Sequence, residues 1–519
     1  MYIATKEDIY FIDQQCEKKY NIPTSELMEN AGKNSFLWIK DKIKDYKSKK
    51  FLIFCAHGNN GGDGAVLARY LAEDGVNLTT VFLGDVTGRS KDVARENFIK
   101  LKKINANIIE VDLNDKSILE IIKKMVSRCD IIVDAIFGIG FNGEFFSPFI
   151  EIINEINASG KKIISLDIPS GVMANGGNFN LAIKADYTLT FGFPKYGMID
   201  YPGARFCGEI NVIDIGILEA LTDERRLPLL LTDDYIKGLI LRRERDTHKG
   251  KYGHLLIIGG YGGDFVGGFR AMGGSVILAG IAALKAGVGL LTIAGHLNVL
   301  SSIQSQIPEA MTFGWLEKPS SIKGLKRLIE NSFIRSVLIG NGFSKGIIQR
   351  EILKMVIQHP IVNKIVIDAD GINILSEDRK LLETLASSGK EVILTPHIGE
   401  AARLLRLHPD EVKNNKLEIA KNLVRLTAST VILKDSVSVV AGKEEELFIN
   451  NRGSVTLAKG GSGDILAGLI AGLFTSGYSP VASACVGIYT LGIAGEKCEA
   501  EKGEVSPLGR DILSAIKIL

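Results

Sequence analysis

Short segments rich in β-branched residues alternate with segments of helical periodicity along almost the whole chain. This alternation predicts β–α–β units, which assemble into parallel sheets with helices packed against them. Residues 65–73 and 149–157 are among the predicted helices. The chain is therefore predicted to have an α/β fold. The predicted strands are residues 51–56, 79–83, 131–138, 161–171 and 187–193 in the first half, and 254–260, 290–295, 336–342, 364–371, 392–397 and 430–435 in the second half.

The length of the chain, 519 residues, exceeds what one hydrophobic core normally supports, so two domains are expected. The alternation of strands and helices breaks between residues 216 and 235, where a charged patch is followed by Pro228. We therefore predict one domain at residues 1–225 and a second at residues 226–519.

The composition argues against several classes of function. The 62 Lys and Arg residues are balanced by 60 Asp and Glu residues, so the charge gives no support to binding of nucleic acid or of a membrane surface. No apolar run reaches the roughly 18 residues of a membrane span. The six cysteines are scattered without CxxC pairs, which favours a reducing compartment and argues against a zinc site. The N-terminal residues lack the apolar core of a signal peptide, so a cytoplasmic location is expected.

The segment Leu457–Gly468, LAKGGSGDILAG, contains a glycine cluster, one acid and the start of an apolar run with helical spacing. The glycines are therefore predicted to lie just before a helix. The N-terminus of a helix offers free N–H groups and a partial positive charge, which together suit an anion. Asp464 would stand beside that anion and take a proton from the group that attacks it. The alternative is a tight turn that Asp464 caps.

Two glycine-rich loops follow predicted strands of the first half, at the strand ends where α/β proteins bind ligands. HGNNGGDG follows the first strand and places Asn59, Asn60 and Asp63 where a phosphate or a ribose could meet them. GIGFNGE, at residues 138–144, is a second loop of the same kind. The alternative for the first loop is a glycine turn with Asp63 as the N-cap of the next helix.

Oxygen-bearing side chains lie at or beyond the ends of three predicted strands of the first half, namely Asn60, Asp134 and Ser170. Hard cations prefer amide, carboxylate and hydroxyl oxygens, so the three are candidates for one cation site. Lys195 lies in a turn at the same sheet edge. It is either an exposed, solubilising charge or a partner for substrate phosphate or for proton transfer.

Five motifs of the first half resemble those of the NAD(P)H-hydrate epimerase family, in the same order over most of residues 1–215: ENAG (Glu29–Gly32), GNNGGDG, VDAIFGIG, DIPSG and FGFPKYG. The resemblance implies a Rossmann-like, three-layer domain. It further implies binding of NADHX or NADPHX, the hydrated forms of the reduced nicotinamide cofactors, and interconversion of their R and S epimers.

The same resemblance assigns roles to individual residues. It implies a potassium ion held by Asn60, Asp134 and Ser170. Epimerisation needs reversible proton transfer at the hydrated ring, for which Asp167 is the first candidate and Lys195 the second. The residues implied to contact the hydrate are Asn59, Asn60, Gly61, Gly62, Asp63, Gly138, Ile139, Gly140, Phe141, Asn142, Gly143, Glu144 and Asp167.

The second half carries HKGKYGHLLIIGG, SVLIGNGFS, VIDADGIN, LTPHIGE, LKDSVSVV and GGSGD, a series that resembles the ADP-dependent NAD(P)H-hydrate dehydratase family. The resemblance implies a ribokinase-like domain that uses ADP or ATP, with Mg²⁺, to phosphorylate the hydroxyl group of the hydrate so that it can leave. Asp464 would orient or deprotonate that hydroxyl, and the N–H groups of Gly461 to Gly463 would stabilise the transferring phosphoryl group.

The implied hydrate contacts in this domain are Gly342, His397 and Asp464, although His397 alone is equally a strand-end histidine with a structural hydrogen bond. Together the two resemblances imply a bifunctional repair enzyme whose partners are NADHX or NADPHX and ADP, and whose family suggests a homo-oligomer. The implied nucleotide contacts are Lys434, Asp435, Ser436, Val437, Ser438, Gly461, Ser462 and Gly463.

Two other functions fit parts of the sequence. A vitamin or sugar kinase with an N-terminal nucleotide-binding or partner-binding module would use the same second domain, because a fold does not fix a function. A first domain that only binds a ligand would need no acid or base. A stable phosphorylated product would favour the kinase, whereas the set of polar residues at the strand ends favours an active first domain.

Overall fold

The computed structural model of the protein describes residues 1–89, 92–104, 106–115, 117–218, 220–265 and 268–518. The chain divides into two compact units, Tyr2–Pro228 and Leu229–Leu519, and Met1 belongs to the second. We call them the N-terminal unit and the C-terminal unit. The assignment of one activity to residues 1–225 and the other to residues 226–519 stays a prediction.

The N-terminal unit is built on a seven-stranded sheet with the order β3-β2-β1-β4-β5-β6-β7, in which every neighbouring pair is parallel. Its strands are β1 (Lys50–Cys55), β2 (Asn77–Leu83), β3 (Ile108–Val111), β4 (Ile131–Ala135), β5 (Lys162–Leu166), β6 (Tyr187–Phe191) and β7 (Glu209–Ile213). Its helices are α1 (Lys6–Tyr20), α2 (Thr24–Lys42), α3 (Asn59–Glu73), α4 (Val86–Arg89), α5 (Asp92–Lys103), α6 (Ile118–Arg128), α7 (Phe149–Ala158), α8 (Tyr196–Ile199) and α9 (Ala220–Arg225).

Helices cover both faces of this sheet, as the burial of β1 demonstrates. Phe51 and Ile53 pack into one hydrophobic cluster, whereas Leu52 and Phe54 pack into another. A strand buried on both faces needs a continuous apolar run, which is the pattern of residues 51–55. The Rossmann-like, three-layer arrangement expected of this unit is confirmed.

The C-terminal unit contains a ten-stranded sheet with the order β13-β12-β9-β14-β15-β16-β17-β18-β19-β8 and a separate hairpin of β10 and β11. The sheet is parallel from β13 to β17, β18 is antiparallel to both of its neighbours, and β8 is parallel to β19. The strands are β8 (Leu229–Leu230), β9 (His254–Gly259), β10 (Gly262–Phe265), β11 (Gly268–Ala271), β12 (Leu290–His296), β13 (Met311–Trp315), β14 (Ser336–Ile339), β15 (Lys364–Ile367), β16 (Glu391–Leu394), β17 (Thr430–Leu433), β18 (Ser438–Ala441) and β19 (Leu447–Asn450).

Hydrophobic clusters fill both faces of this sheet too, so the C-terminal unit also has three layers. Its helices are α10 (Asp233–Leu239), α11 (Gly273–Lys285), α12 (Leu300–Gln306), α13 (Pro319–Asn331), α14 (Ile347–Gln358), α15 (Asp370–Glu377), α16 (Arg379–Ala386), α17 (Ile398–Leu405), α18 (Pro409–Asn414), α19 (Lys416–Thr427), α20 (Ser462–Thr475), α21 (Pro480–Lys502) and α22 (Gly509–Ala515).

Helices α11 and α20 pack with their backbones in close approach, which fixes the position of the α20 N-terminus. A Cβ atom on Gly468 would lie 2.1 Å from the carbonyl oxygen of Ala279, so no larger residue fits at that crossing. The glycine and alanine content of both helices therefore serves packing.

The α/β fold class is confirmed, and the mostly parallel sheet between helical layers in the C-terminal unit is the arrangement expected of the ribokinase-like domain that the second resemblance implies. None of the helices in the described part of the chain combines the length and the apolar character needed to cross a bilayer.

Candidate active sites

The N-terminal unit contains a cavity of about 630 Å³ beyond the carboxyl ends of β1, β4, β5 and β6. This volume suits a small-molecule ligand. Gly61, Gly62 and Gly143 are absent from its wall. The predicted residues that line it are Asn59, Asn60, Asp63, Gly138, Ile139, Gly140, Phe141, Asn142, Glu144, Asp167 and Lys195.

The segment Asn59–Gly64 is not the loop that its glycines predict but the first part of helix α3. Gly58 holds the N-cap position and Asp63 lies beyond the first turn, so the interpretation of Asp63 as an N-cap is also wrong. Close packing explains the glycines, because a Cβ atom on Gly61 would lie 1.8 Å from the carbonyl oxygen of Ala56. The helix therefore starts directly after β1 and brings its N-terminus to the cavity wall.

Asp167 and Lys195 form an ion pair in the cavity wall. Lys195 is fully buried, and its ammonium group also donates to Thr190 Oγ1 at 3.0 Å and to the carbonyl of Phe191 at 3.1 Å. The interpretation of Lys195 as an exposed, solubilising charge is therefore wrong. Asp167 has a φ of +63°, a left-handed conformation that is uncommon outside glycine and is often found at functional sites.

Asp13 and Asp63 line the same cavity, and the charge of Lys195 acts on both of these acids as well as on Asp167. Burial raises the pKa of Asp63 well above its ordinary value, and the nearby charges of Asp167 and Asp13 raise it further. Burial, with the charge of Asp167, also raises the pKa of Asp13 to about 6, although Lys195 opposes the increase. A cavity with a protonated carboxyl group beside an ion-paired carboxylate has the acid and the base that proton transfer needs.

The sequence analysis missed Asp13, for which the pattern of α1 gives no clear signal. Ile9, Ile12 and Cys16 form the buried stripe of this helix, and Asp13 lies at the border of that stripe. An acid at the edge of an apolar helix face is usually a solvated residue. Only the position of α1 over the strand ends identifies this one as a cavity residue.

An aromatic cluster forms part of the same wall. Phe137, Phe141, Phe145 and Phe149 follow β4 and contact one another with ring centroids 4.4 to 5.7 Å apart. The sequence predicts only Phe141 among them, as a member of the glycine loop. Only Phe141 and Phe145 are stacked, but the cluster as a whole offers an apolar aromatic surface of the kind that binds a ligand ring.

The three predicted cation ligands converge around the peptide groups of Phe137. Asn60 Nδ2 donates to the carbonyl of Phe137 at 3.0 Å, and Ser170 Oγ accepts from its N–H at 2.8 Å. The buried carboxylate of Asp134 accepts from Ser170 Oγ at 2.6 Å, from the Ser170 N–H at 2.9 Å and from Ser165 Oγ at 2.8 Å. Burial raises the pKa of Asp134, although these hydrogen bonds oppose the increase.

In the C-terminal unit, Asp464 lies in the first turn of α20, and Ser462 and Gly463 are also helical. The glycines therefore do not all precede the helix, and Gly461, not Asp464, is its N-cap. Gly461 has a φ of +99°, which favours glycine. Asp464 Oδ1 accepts from Asn341 Nδ2 at 2.8 Å. Burial raises the pKa of Asp464, while the hydrogen bond from Asn341 lowers it.

Lys434 brings a positive charge to the same place. Its ammonium group pairs with Asp368 Oδ1 at 2.8 Å. A Cβ atom on Gly463 would lie 3.6 Å from that ammonium group, so Lys434 lies beside the first turn of α20. Burial lowers the pKa of Lys434, but the charges of Asp368 and Glu400 outweigh burial and raise it overall. A lysine and a helix N-terminus side by side are suited to bind phosphate.

His397 and Glu400 flank this cluster at the start of α17. His397 is the N-cap, and its Nδ1 accepts from the N–H of Gly399 at 3.0 Å, so it has the structural hydrogen bond of the simpler interpretation. Its side chain is nevertheless 53% exposed, and Nε2 lies 3.4 Å from Glu400 Oε1, so the ring faces both this acid and the solvent. Burial raises the pKa of Glu400 to about 7, although Lys434 opposes the increase.

The remaining predicted nucleotide contacts are residues 435–437, in the turn between β17 and β18, and Ser438, the first residue of β18. Asp435 Oδ2 accepts from the buried ammonium group of Lys416 at 2.8 Å, and Ser438 Oγ donates to the carbonyl of Asp435 at 3.0 Å. Two of the polar side chains in this turn thus have partners within the unit. These contacts fix the turn that follows Lys434 directly in the chain.

Sequence reasoning missed three residues of this site: Asn341, Asp368 and Glu400. Asp368 is 2% exposed and accepts from Thr395 Oγ1 at 2.7 Å as well as from Lys434. Asp368 follows β15, so the rule that ligands lie beyond strand ends was sufficient to find it. Asn341 and Glu400 become functional candidates only through contacts between distant segments.

Two units that each gather acids and an ion-paired lysine at the carboxyl edge of a sheet define a two-site α/β enzyme. The family described as NAD(P)H-hydrate dehydratase matches residues 265–517, and the family described as YjeF-related protein N-terminus matches residues 24–197.

Full-length relatives share both units. The bifunctional NAD(P)H-hydrate repair enzyme Nnr of Moorella thermoacetica is 34% identical over 99% of this chain and 95% of its own length. The enzyme of the same name from Dictyoglomus turgidum is 31% identical over 100% of this chain and 98% of its own. A solved structure of an ADP/ATP-dependent NAD(P)H-hydrate dehydratase from Bacillus subtilis, co-crystallised with ATP and Mg²⁺, is 25% identical over 56% of this chain and 96% of its own, with a TM-score of 0.47.

The chain belongs to the family of bifunctional NAD(P)H-hydrate repair enzymes. The enzyme class implied by the two sets of motifs is thereby confirmed.

Proposed function

We propose that the N-terminal unit interconverts the R and S epimers of NADHX and NADPHX, and that the C-terminal unit dehydrates the S epimer at the expense of ADP or ATP. The observation that carries the proposal is the presence of two chemically different sites in one chain. One is an acid–base cavity around Asp167 and Lys195, and the other is a carboxylate at a helix N-terminus beside Lys434. The names of the full-length relatives support the same division.

Epimerisation inverts a carbon that bears a hydroxyl group, which needs both a proton donor and a proton acceptor. The hydroxyl takes a proton and leaves as water with the C–O electron pair, while the ring nitrogen stabilises the resulting cation. Water then adds from the other face and gives up a proton. The raised pKa of Asp63 suits the donor, and Asp167, held by Lys195, suits the acceptor. The phenylalanine cluster supports the ring of the hydrate on one side.

Dehydration must expel a hydroxyl group, which is a poor leaving group. Asp464 takes the proton of that hydroxyl while its oxygen attacks the terminal phosphorus of the nucleotide, and the bond from that phosphorus to the nucleotide oxygen breaks. The N–H groups at the start of α20 and the ammonium group of Lys434 are suited to stabilise the transferring phosphoryl group. Phosphate then leaves with the C–O electron pair, a proton leaves the neighbouring carbon, and the ring double bond forms again.

A potassium ion is proposed at the cluster of Asn60, Asp134 and Ser170. Asn60 Oδ1 is buried without a hydrogen-bond partner among the described residues, which supports a cation as its partner. Asp134 is available as a ligand because the Ser170 hydroxyl can donate to the carbonyl of Phe137, at 3.3 Å, in place of the carboxylate. Bound potassium would supply positive charge next to the cavity and offset the charge of the hydrate pyrophosphate.

Two variants test the division of labour. Asp464→Asn is expected to lower dehydration of S-NADHX by about 10²–10⁴-fold and to leave epimerisation intact, because it removes only the base of the C-terminal unit. Asp167→Asn is expected to do the reverse. In each variant, the retained activity of the unaltered unit shows that the protein is not globally unfolded. Dehydration by Asp464→Asn at the wild-type rate would contradict the proposed base.

A further inference from the structure

Asn341 lies between two carboxylates of the C-terminal unit. It follows β14, is fully buried, and donates from Nδ2 to Asp464 Oδ1 at 2.8 Å and to Asp368 Oδ2 at 2.9 Å. Each of the two amide protons of Asn341 is thus donated to a different carboxylate. The orientation of the amide is fixed by this network, since a flipped amide would turn its oxygen towards two negative charges.

The acid on the far side of Asn341 is itself fixed. Asp368 Oδ1 accepts from Lys434 Nζ at 2.8 Å and from Thr395 Oγ1 at 2.7 Å, while Oδ2 accepts from Asn341. A continuous chain of hydrogen bonds therefore runs from Lys434 through Asp368 and Asn341 to Asp464. It joins the lysine proposed to meet the nucleotide to the carboxylate proposed to meet the hydrate.

We infer that Asn341 is a positioning residue for dehydration, which holds the Asp464 carboxylate in place and ties it to the Lys434–Asp368 pair. The inference rests on the proposed function of the C-terminal unit. Asn341 does not itself act on the substrate, because its amide protons are already used and its oxygen is buried. Its effect reaches the reaction through the geometry and the protonation of Asp464.

The groups that face Asp464 explain why such a residue is needed. Burial and the charge of Asp368 raise the pKa of Asp464, whereas Asn341, Ser275 and Lys434 lower it. Asn341 separates two carboxylates that would otherwise face each other without a donor between them. Its removal should therefore raise the pKa of Asp464 further, so that a larger share of this base is protonated at neutral pH.

The test is the pH dependence of S-NADHX dehydration by the full-length protein, measured with ADP and with ATP. Asn341→Leu keeps the approximate size of the side chain and removes both hydrogen bonds. We expect the acid limb of kcat to move up by about 1–2 pH units, which lowers kcat by about 10–100-fold at pH values on the wild-type acid limb, with a much smaller change in KM. Raising the pH should restore most of the rate, which a merely structural defect would not allow.

Asn450→Leu is the matched control. Asn450 is another buried asparagine of the same unit, with Nδ2 bound to the carbonyl of Arg452 and a buried, unpartnered Oδ1, but it lies at the end of β19. This substitution should leave the acid limb in its wild-type position. If Asn341→Leu does not fold, Asn341→Asp provides the same test in the shape of the original side chain. A third carboxylate there should shift the acid limb at least as far.

The outcomes separate the inference from the proposed function. A wild-type pH profile in the Asn341 variants, or an equal loss of rate at every pH, would overturn the positioning role while dehydration by the wild type stands. A wild-type protein that leaves S-NADHX unchanged with either nucleotide would overturn the proposed function, and the inference with it.

Discussion

The substitution Asp13→Asn is expected to stabilise the N-terminal unit at neutral and alkaline pH. Asp13 lies in the cavity wall, where burial and the charge of Asp167 raise its pKa from 3.8 to about 6 despite the opposing charge of Lys195. The folded state therefore favours the protonated acid, and ionisation of Asp13 costs stability. Asparagine has a similar shape and carries no charge, so it removes that cost.

The size of the effect follows from the difference between the two pKa values. A difference of about 2 pH units corresponds to about 3 kcal/mol in the free energy of unfolding. A carboxyl group whose folded pKa is raised contributes its full stability below the unfolded pKa and loses it as the pH rises through the folded pKa. The gain from Asp13→Asn should thus be near zero at about pH 4, grow up to about pH 6 and stay constant above about pH 7.

Amide hydrogen exchange provides the assay, because it reports local stability in each unit of the full-length protein. Peptides from the central strands β1, β4 and β5 should exchange more slowly in Asp13→Asn at pH 8 and at the wild-type rate at pH 4. Peptides of the C-terminal unit are an internal control. Glu17→Gln is the matched variant, since Glu17 is exposed on the same helix. Equal protection of wild type and Asp13→Asn at pH 8 would refute the reasoning, as would a gain of the same size at both pH values.

Three further outcomes are expected. Asp134→Ala should weaken potassium-dependent binding of the hydrate, measured by titration with and without potassium salt, while dehydration of pure S-NADHX persists; potassium affinity equal to that of the wild type would contradict the ligand set. Gly461→Ala should destabilise the C-terminal unit by about 1–2 kcal/mol and slow dehydration, because φ is +99° at this position. Gly460→Ala, at a position with open space around it, should change neither the stability nor the rate. Thermal unfolding and kcat distinguish the two variants. Residues 1–228 and 229–519, expressed separately, should each unfold cooperatively, since each has its own sheet and core; aggregation of both would contradict this.

The strands in the middle of both sheets were predictable, because burial on both faces leaves a continuous apolar run. All the predicted segments, among them 51–56 and 430–435, overlap strands of the structure. The strands that the sequence did not reveal include three at the sheet edges, β3, β7 and β13. Each has partly or fully exposed positions, so its apolar pattern is interrupted.

Sequence reasoning predicted the two candidate active sites less completely than it predicted the strands. Glycine-rich segments identified the ligand-binding edge of each sheet, but they misplaced the start of α3, because the glycines of Asn59–Gly64 serve close packing inside a helix. The burial of Lys195 depends on the strands around it. Asn341 and Asp464 are 123 residues apart, and only the order of strands brings them into contact. Periodicity and motifs report local structure, whereas these contacts follow from topology.

The central claim is that one chain carries two activities that complete each other. Its most direct test is incubation of the purified protein with an equal mixture of R- and S-NADHX plus ADP or ATP, followed by the absorbance of the reduced nicotinamide. We predict conversion of the whole mixture to NADH in the presence of nucleotide, because the N-terminal unit continuously supplies S epimer to the C-terminal unit. Asp167→Asn should convert only the S epimer, which is half of the mixture, because this variant cannot turn R into S. Accumulation of a stable phosphorylated product without NADH, or conversion of only half the mixture by the wild type, would contradict the account.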